Sequence, residues 1–382
     1  MQRICREAKE FRLSNRKTNK LLISGYYGFN NIGDESILRA VVDNLKEKLE
    51  KIEITVLSQD PASTIEKYGV HAVNRRSVTD IIKAVSKCDI LISGGGSLLQ
   101  DVTSKRSIFY YLFIMWAAKI LRKKVLIYSQ GIGPINSKFN REITFRTLNI
   151  MDGIVVRDDA SKELLVEIGI PGKKVVVTAD PVLRIKPAAL EPGRIILERE
   201  GFIKNPDKMT VGFAIRERMV DSKFVDQLCV SMNRLIEEYQ VEIVLIPFHY
   251  SEDMAVIDEI EKKLENRVSV IRHKYLTNEM LSIIGNMDFL VGVRLHALIH
   301  AAIMNIPMIA ISYDPKINSF MHSIGLRAMC SIYDFDNEYF IEEFDKTWKN
   351  KDALKIKVRG KMEGLIKKLD KNEEIIKELM EK

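Results

Sequence analysis

Ile90-Leu91-Ile92-Ser93-Gly94-Gly95-Gly96-Ser97-Leu98-Leu99-Gln100-Asp101 is the stretch on which the fold turns. Its first four residues predict a buried strand, and the three glycines that follow end it abruptly. Consecutive glycines lose much conformational freedom on folding, and a packed protein tolerates that where backbone must lie close to something. Gly94, Gly95, Gly96 and Ser97 are therefore candidate ligand contacts at the carboxyl end of a strand.

Working outward, the arrangement recurs. The run Leu21–Ser24 reads as another strand and leads into Gly25-Tyr26-Tyr27-Gly28-Phe29-Asn30-Asn31-Ile32-Gly33-Asp34-Glu35. Behind it Ile37, Leu38, Val41, Val42, Leu45 and Leu49 recur at helical spacing, so a helix should follow with one face on a sheet. Glycines before a helix N-terminus bring free amides to an anion, which makes Gly28, Asn30, Asn31, Gly33 and Asp34 candidates. The spacing is neither the dinucleotide fingerprint nor a Walker loop. A plain tight turn capped by Asp34 explains the same residues. The run Val125–Ser129 ends likewise in Gln130-Gly131-Ile132-Gly133-Pro134, adding Gln130. Further strands are expected at Glu53–Leu57, Gly153–Val156 and Val175–Thr178. Strands alternating with amphipathic stretches predict βα units around a parallel sheet.

Pro187, Pro192, Gly193 and Pro206 punctuate a charged stretch without sheet periodicity, and a linker is placed at 186–207. The alternation then restarts at Thr210–Phe213, Glu242–Ile246, Val268–Ile271, Phe289–Val291 and Met308–Ser312. The fold class is therefore α/β with two Rossmann-like halves, at 21–185 and 208–333. A basic extension precedes them at 1–20, and a helical segment at 334–382 should lie as a surface helix along one edge. In open α/β sheets ligands bind beyond the carboxyl ends of the strands, so the cleft between the halves is the expected site.

In the second half the strand ending at Val291 is followed by Gly292-Val293-Arg294-Leu295-His296. An arginine fork and a histidine two residues apart at a strand-to-helix turn suit an anion and a proton transfer. Arg157 and Lys316 also follow strand ends. His249, after Pro247-Phe248, is a weaker candidate. No Cys, His, Asp or Glu set has metal-ligand spacing, and no serine sits in a nucleophile elbow.

The composition is that of a globular protein, with 46% hydrophobic and 29% charged residues among 382. A net charge of +7 favours anionic partners, while nothing resembles a zinc finger or an RNA-binding aromatic pair, so nucleic acid is not expected. Cys5, Cys88, Cys229 and Cys330 form no framework, as suits a reducing cytosol. No secretion signal is evident in the basic first twenty residues. The longest apolar run, Ile108 to Ala118, is too short to span a bilayer and predicts a buried helix.

Gly25 to Glu35, Gly94 to Asp101, Gln130 to Pro134 and Arg294-Leu295-His296, in that order, resemble the polysaccharide pyruvyl transferase family. The likeness runs from about Leu21 to Gly325 and is nearest to the family's cell-surface anchoring branch. The resemblance implies a glycosyltransferase-B-like pair of Rossmann-type domains facing a cleft, with phosphoenolpyruvate as donor and no further cofactor. It implies a polymer or lipid-linked sugar as acceptor. For the anchoring branch that acceptor is an N-acetylmannosamine unit on an undecaprenyl-diphosphate carrier, whose product anchors surface-layer proteins. By likeness Arg294 and His296 fall on the donor-site motif as catalytic residues, and Arg157 and Lys316 on further positive positions. A cytoplasmic protein that touches the inner membrane leaflet through its basic ends follows from such an acceptor. Two rivals remain: a glycosyltransferase with a nucleotide-sugar donor, since the architecture hosts both, and a non-catalytic phosphate- or polymer-binding protein.

Overall fold

The computed structural model describes residues 18–102, 107–216, 222–265 and 267–381. Its first half runs β1 (Asn19–Tyr27), α1 (Ile32–Lys48), β2 (Ile52–Ser58), α2 (Pro61–Tyr68), β3 (His71–Asn74), α3 (Val78–Lys87) and β4 (Ile90–Gly94). It continues with α4 (Ser107–Ile120), β5 (Lys124–Gln130), α5 (Lys138–Leu148), β6 (Gly153–Val156), α6 (Asp159–Glu167) and β7 (Val175–Val177). Helix α7 (Leu190–Arg199) leads into the second half, β8 (Thr210–Ala214), α8 (Ser222–Glu238), β9 (Glu242–Leu245), α9 (Tyr250–Lys263), β10 (Ser269–Val270) and α10 (Thr277–Gly285). There follow β11 (Phe289–Gly292), α11 (Leu295–Ile303), β12 (Met308–Ser312), α12 (Pro315–Ser323) and β13 (Cys330–Ser331). Three helices close the chain, α13 (Asn337–Lys349), α14 (Lys351–Lys368) and α15 (Asp370–Glu381).

The two sheets share one topology over six strands, and the first adds β7 at its edge. Strand order is β3-β2-β1-β4-β5-β6-β7 in one and β10-β9-β8-β11-β12-β13 in the other, and every pairing is parallel. Both faces are covered by helices, so the central strands are continuous apolar runs such as Leu21-Leu22-Ile23 and Ile90-Leu91-Ile92. In each sheet the order reverses beside the first strand, between β1 and β4 and between β8 and β11. These reversals open the crevices where open α/β sheets hold ligands.

The halves are not separate bodies with water between them. One buried apolar cluster runs from Leu38, Val41 and Val42 of α1 to Met280 and Leu281 of α10 and Leu298 and Ala301 of α11. Ser36 Oγ of α1 lies 3.0 Å from His300 Nε2 of α11, and the Ile32 amide donates to the Phe248 carbonyl at 2.8 Å. The face of α1 turned away from its own sheet thus seats the second half.

Four local expectations are revised. Strands β3 and β13, not expected from the sequence, are edge strands without a β-branched apolar run. Residues 186–207 contain α7, fixed to α10 by a Gly193 amide donating to Ser282 Oγ at 2.6 Å. The tail is not one surface helix along an edge. Its final helix α15 inserts polar side chains into the first half, where Glu373 accepts from Tyr128 (2.7 Å) and Arg184 (2.8 Å) and Asn372 donates to Ser129 (2.8 Å). The apolar helix α4 is only half buried. Ile108, Leu112, Ile114 and Met115 face the core, while Phe109, Phe113, Trp116 and Ile120 are exposed.

Candidate active site

The carboxyl ends of β1, β4, β5 and β6 face those of β8, β9, β11 and β12, and the groups between them interlock in a specific way. A β-carbon on Gly33, in the first turn of α1, would lie 2.2 Å from His296 Nδ1. One on Gly96 would lie 3.0 Å from Asp34 Oδ1, and one on Gly131 2.7 Å from Arg157 Nη2. Three loop glycines thus make room for three ionisable side chains, one apiece. His296 comes from the opposite half, so the tightest of these three fits crosses the domain junction.

Asp34 sits one residue after Gly33 and accepts from Asn31 Nδ2 at 2.7 Å. Asn31 is the cap of α1, taking the Gly33 amide at 3.1 Å, so Asp34 is released from the capping role its position offered. Burial, then the adjacent Glu35 carboxylate, push Asp34 up to about 7, against the pull of Lys316, His249 and Arg157. His296 is moved the other way. Burial, then the charges of Arg157, Lys316 and Arg294, push it down to about 3. Its Nε2 is buried, 3.8 Å from Asp180 Oδ2 and without a hydrogen bond among the described residues. The site therefore pairs a carboxyl that holds its proton near neutral pH with an imidazole that does not.

Cations surround this pair. Arg157 is buried and spreads its guanidinium over Asp158 (3.3 Å), Asp180 (3.2 Å) and Ser97 Oγ (3.2 Å). Arg294 caps the backbone at the start of α11 and forks onto Asp253, with Nε 3.1 Å from Oδ2 and Nη2 on Oδ1. Asp253 is held in turn by the Phe248 and His249 amides. Glu252 lies 3.6 Å from Arg294 and is held down to about 2, chiefly by its hydrogen bond with His249. Lys316 pairs with Asp314 at 3.1 Å and lies 5.3 Å from the centre of the Tyr313 ring. Arg216, at the end of β8, donates to the Tyr313 hydroxyl and stacks 4.5 Å from the same ring. Burial would raise the Tyr313 phenol, but Lys316, Arg216 and Arg294 outweigh it and hold it below its ordinary value. A cavity of about 210 Å³ opens between the halves, lined by Ser97, Gly131, Arg157, Asp314 and Lys316 among others.

Some expected contacts lie elsewhere. Gln130 is fully buried beneath the loops, its Oε1 3.2 Å from Ser93 Oγ, so it supports the rim from inside and offers no surface to a ligand. Gly28 is shaped by packing, since a β-carbon there would meet Ser58 Oγ at 2.4 Å. Asn30 is exposed and takes φ 57° at the loop tip. Gly94 and Gly95 serve Tyr27, whose hydroxyl donates to the Gly94 carbonyl at 2.8 Å. Arg216, Tyr313, Asp180 and Asp253 were not singled out by sequence reasoning. Arg216 had a signal, an arginine two residues past a strand. Asp180 and Asp253 had none, because their importance lies in which arginine the fold brings to them. Among the described residues no three Cys, His, Asp or Glu side chains converge as a metal site.

Comparison with known proteins decides the lineage. The profile described as polysaccharide pyruvyl transferase matches residues 31–315, three quarters of the chain and both cleft walls. The chain belongs to the polysaccharide pyruvyl transferase family. This family membership makes it a transferase of polysaccharide biosynthesis. The amylovoran biosynthesis protein AmsJ of Erwinia amylovora is 22% identical, over 82% of this chain and 88% of its own. The fold extends beyond the family. HepE of Anabaena, solved with UDP and glucose, superposes with a TM-score of 0.65 at 10% identity, over 95% of this pyruvyl transferase and 99% of that chain. The UDP-GlcNAc 2-epimerase of Neisseria meningitidis, solved with UDP-GlcNAc, gives 0.63 at 15% identity, over 95% and 100%. The glycosyltransferase-B-like architecture is thereby shown. Among the described residues no helix is long and apolar enough to cross a membrane.

Proposed function

We propose that this pyruvyl transferase moves the three-carbon unit of phosphoenolpyruvate onto two hydroxyls of one sugar as a ketal, releasing phosphate. The acceptor is a lipid-linked precursor of a cell-surface polymer, with N-acetylmannosamine of a secondary cell wall polymer as the first unit to test. The observation that carries the reading is the pairing of Asp34 and His296 inside a ring of Arg157, Arg216, Arg294 and Lys316. Phosphoenolpyruvate brings a carboxylate and a phosphate, which suit a cationic pocket, and a methylene that must be protonated. Titratable groups pushed apart in pKa mark acid and base. Asp34 is then the acid and His296 the base.

The proton balance closes on these two groups. Asp34 gives its proton to the donor methylene, and the first sugar hydroxyl attacks the cationic central carbon while His296 takes the hydroxyl proton. The carbon–oxygen bond to phosphate breaks as the second hydroxyl closes the ring. His296 returns its proton to the departing phosphate, and the second hydroxyl's proton restores Asp34. An imidazole pushed down to about 3 is a weak base. Burial is the larger cause of that depression, and donor anions offset the lesser one, the field of Arg157, Lys316 and Arg294, so donor binding raises His296 toward the basic range.

Glu252 and Asp253, in the first turn of α9, are both spent on His249 and Arg294. Incubation with phosphoenolpyruvate and a panel of undecaprenyl-diphosphate saccharides tests the reading. Phosphate and an acid-labile pyruvylated product should appear in equal amounts. Nucleotide release from a UDP-sugar with no pyruvyl transfer to any acceptor would replace it with the glycosyltransferase reading.

A further inference from the structure

The exposed side of α4 carries a stripe at helical spacing, Phe109, Phe113, Trp116 and Ile120, each between 41% and 70% exposed. Helix α5 extends it, with Phe139 64% exposed and its ring 6.2 Å from that of Phe109. The Trp116 indole donates to Thr147 Oγ1 at 2.9 Å, tying the two helices into one face. A monomeric protein rarely leaves so many large apolar groups contiguous in water without a use for them.

The charge around this face says what covers it. Residues 107–150 contain seven Lys or Arg and a single Asp or Glu. Lys138 precedes Phe139 directly, and Arg122 and Lys123 follow Ile120. Among the described residues none of these three forms an ion pair, unlike Lys119, Arg141 and Arg146, which pair with Asp152, Glu167 and Glu142. Aromatic rings beside unpaired cations fit the interface of an anionic bilayer, where rings sit at headgroup depth and the basic groups meet lipid phosphate.

We infer that the α4–α5 face docks the protein on an anionic membrane surface. The placement is coherent with the cleft, because α4 and α5 follow the carboxyl ends of β4 and β5. Phe109, Phe139 and Lys138 therefore stand at the same rim as the glycine loops, and a bilayer under them lies beside the cleft mouth. This surface differs from the basic chain ends, to which the sequence pointed. The inference rests on the face alone, so vesicle binding without pyruvyl transfer would sustain it and leave the acceptor reading to fail separately.

The test is co-sedimentation with phosphatidylcholine vesicles with and without phosphatidylglycerol. The whole chain should bind the anionic vesicles, and binding should weaken as salt rises. Phe109→Ser/Phe113→Ser/Ile120→Ser should lower the partition coefficient by about tenfold or more. Arg122→Glu/Lys138→Glu should lower it by at least about twentyfold, near fivefold for each charge removed. Unchanged melting temperature in both variants keeps the comparison clean, since these positions are exposed. In a Trp348→Phe background Trp116 emission should shift to the blue on adding anionic vesicles. Equal binding to neutral vesicles, equal binding by the serine variant, or unmoved Trp116 emission would overturn the proposal. So would a dimer that the serine variant dissolves without any vesicle binding, which would give the face to a second copy.

Discussion

The two walls of the cleft are made of different material. The first half contributes space at Gly33, Gly96 and Gly131, with Asp34, Arg157 and Asp180 set among these glycines. The second half contributes Arg216, Arg294, His296 and Lys316, in the turns and first helical turns that follow otherwise apolar strands. Neither wall is a site alone. Gly33 exists to admit a histidine from the other half, and that histidine's protonation is governed partly by Arg157 of the first. The difference teaches that a wall of glycines need not touch a ligand directly, since part of its work is to let the opposing wall close.

The largest effects should come from the proposed acid–base pair. His296→Asn and Asp34→Asn keep hydrogen bonding but cannot move a proton, and each should slow turnover by about 10²–10⁴-fold. Near-normal turnover in either would remove that residue from the chemistry. Gly33→Ala sharpens the comparison, because it changes nothing chemical and pushes on His296 from the opposite wall. A reacting group displaced by about 1 Å costs on the order of 10²-fold, so kcat should fall nearly as far as in His296→Asn. An active Gly33→Ala enzyme would break the interlock.

Arg294→Lys keeps charge and loses the fork on buried Asp253. Activity should fall, and leaving Asp253 poorly paired should cost about 3–5 kcal/mol at the upper end, read by urea unfolding. Wild-type kinetics would remove Arg294 from the site.

The pH dependence of stability is a smaller effect with a definite sign. Asp34 has a folded pKa near 7, above its unfolded value, so its contribution is full below the unfolded value and lost as pH rises through 7. The stability gained by Asp34→Asn should therefore grow between about pH 4 and 7 and stay level above. Melting temperatures across that range check it, and a gain that shrinks with rising pH would contradict the buried, neutral carboxyl. The smallest effect is a control. Gly360 lies inside α14, and a β-carbon added there would meet nothing within 4 Å, so Gly360→Ala should stabilise by about 0.5–1 kcal/mol and leave kcat alone. Differential scanning calorimetry reads the first and steady-state rates the second.

Much of this was legible in the sequence. Eleven of the strands follow from short β-branched runs, and glycines after Ser24, Ser93 and Ser129 mark the rim. Strands β3 and β13 escaped because His71-Ala72-Val73-Asn74 and Cys330-Ser331 lack the β-branched apolar run that marks the others. Arg294 and His296 were legible as a pair at a strand end, but that Arg294 is already gripped by Asp253 was not, because residues 253 and 294 meet only in the folded second half. Asp34 read equally well as a cap, and only the sight of Asn31 filling that role frees it. The exposed stripe of α4 was hidden by hydrophobicity on every side, where no periodicity separates a buried face from a docking face.

Deuterium from solvent tests the central claim most directly. Pyruvyl transfer run in heavy water, with phosphoenolpyruvate and the acceptor that accepts it, should place a single deuterium in the methyl of the ketal product. With Asp34 as the proposed acid, Asp34→Asn should slow its arrival in step with phosphate release. A product that keeps the donor's methylene intact, or a protein that transfers nothing from phosphoenolpyruvate to any saccharide, would contradict the account.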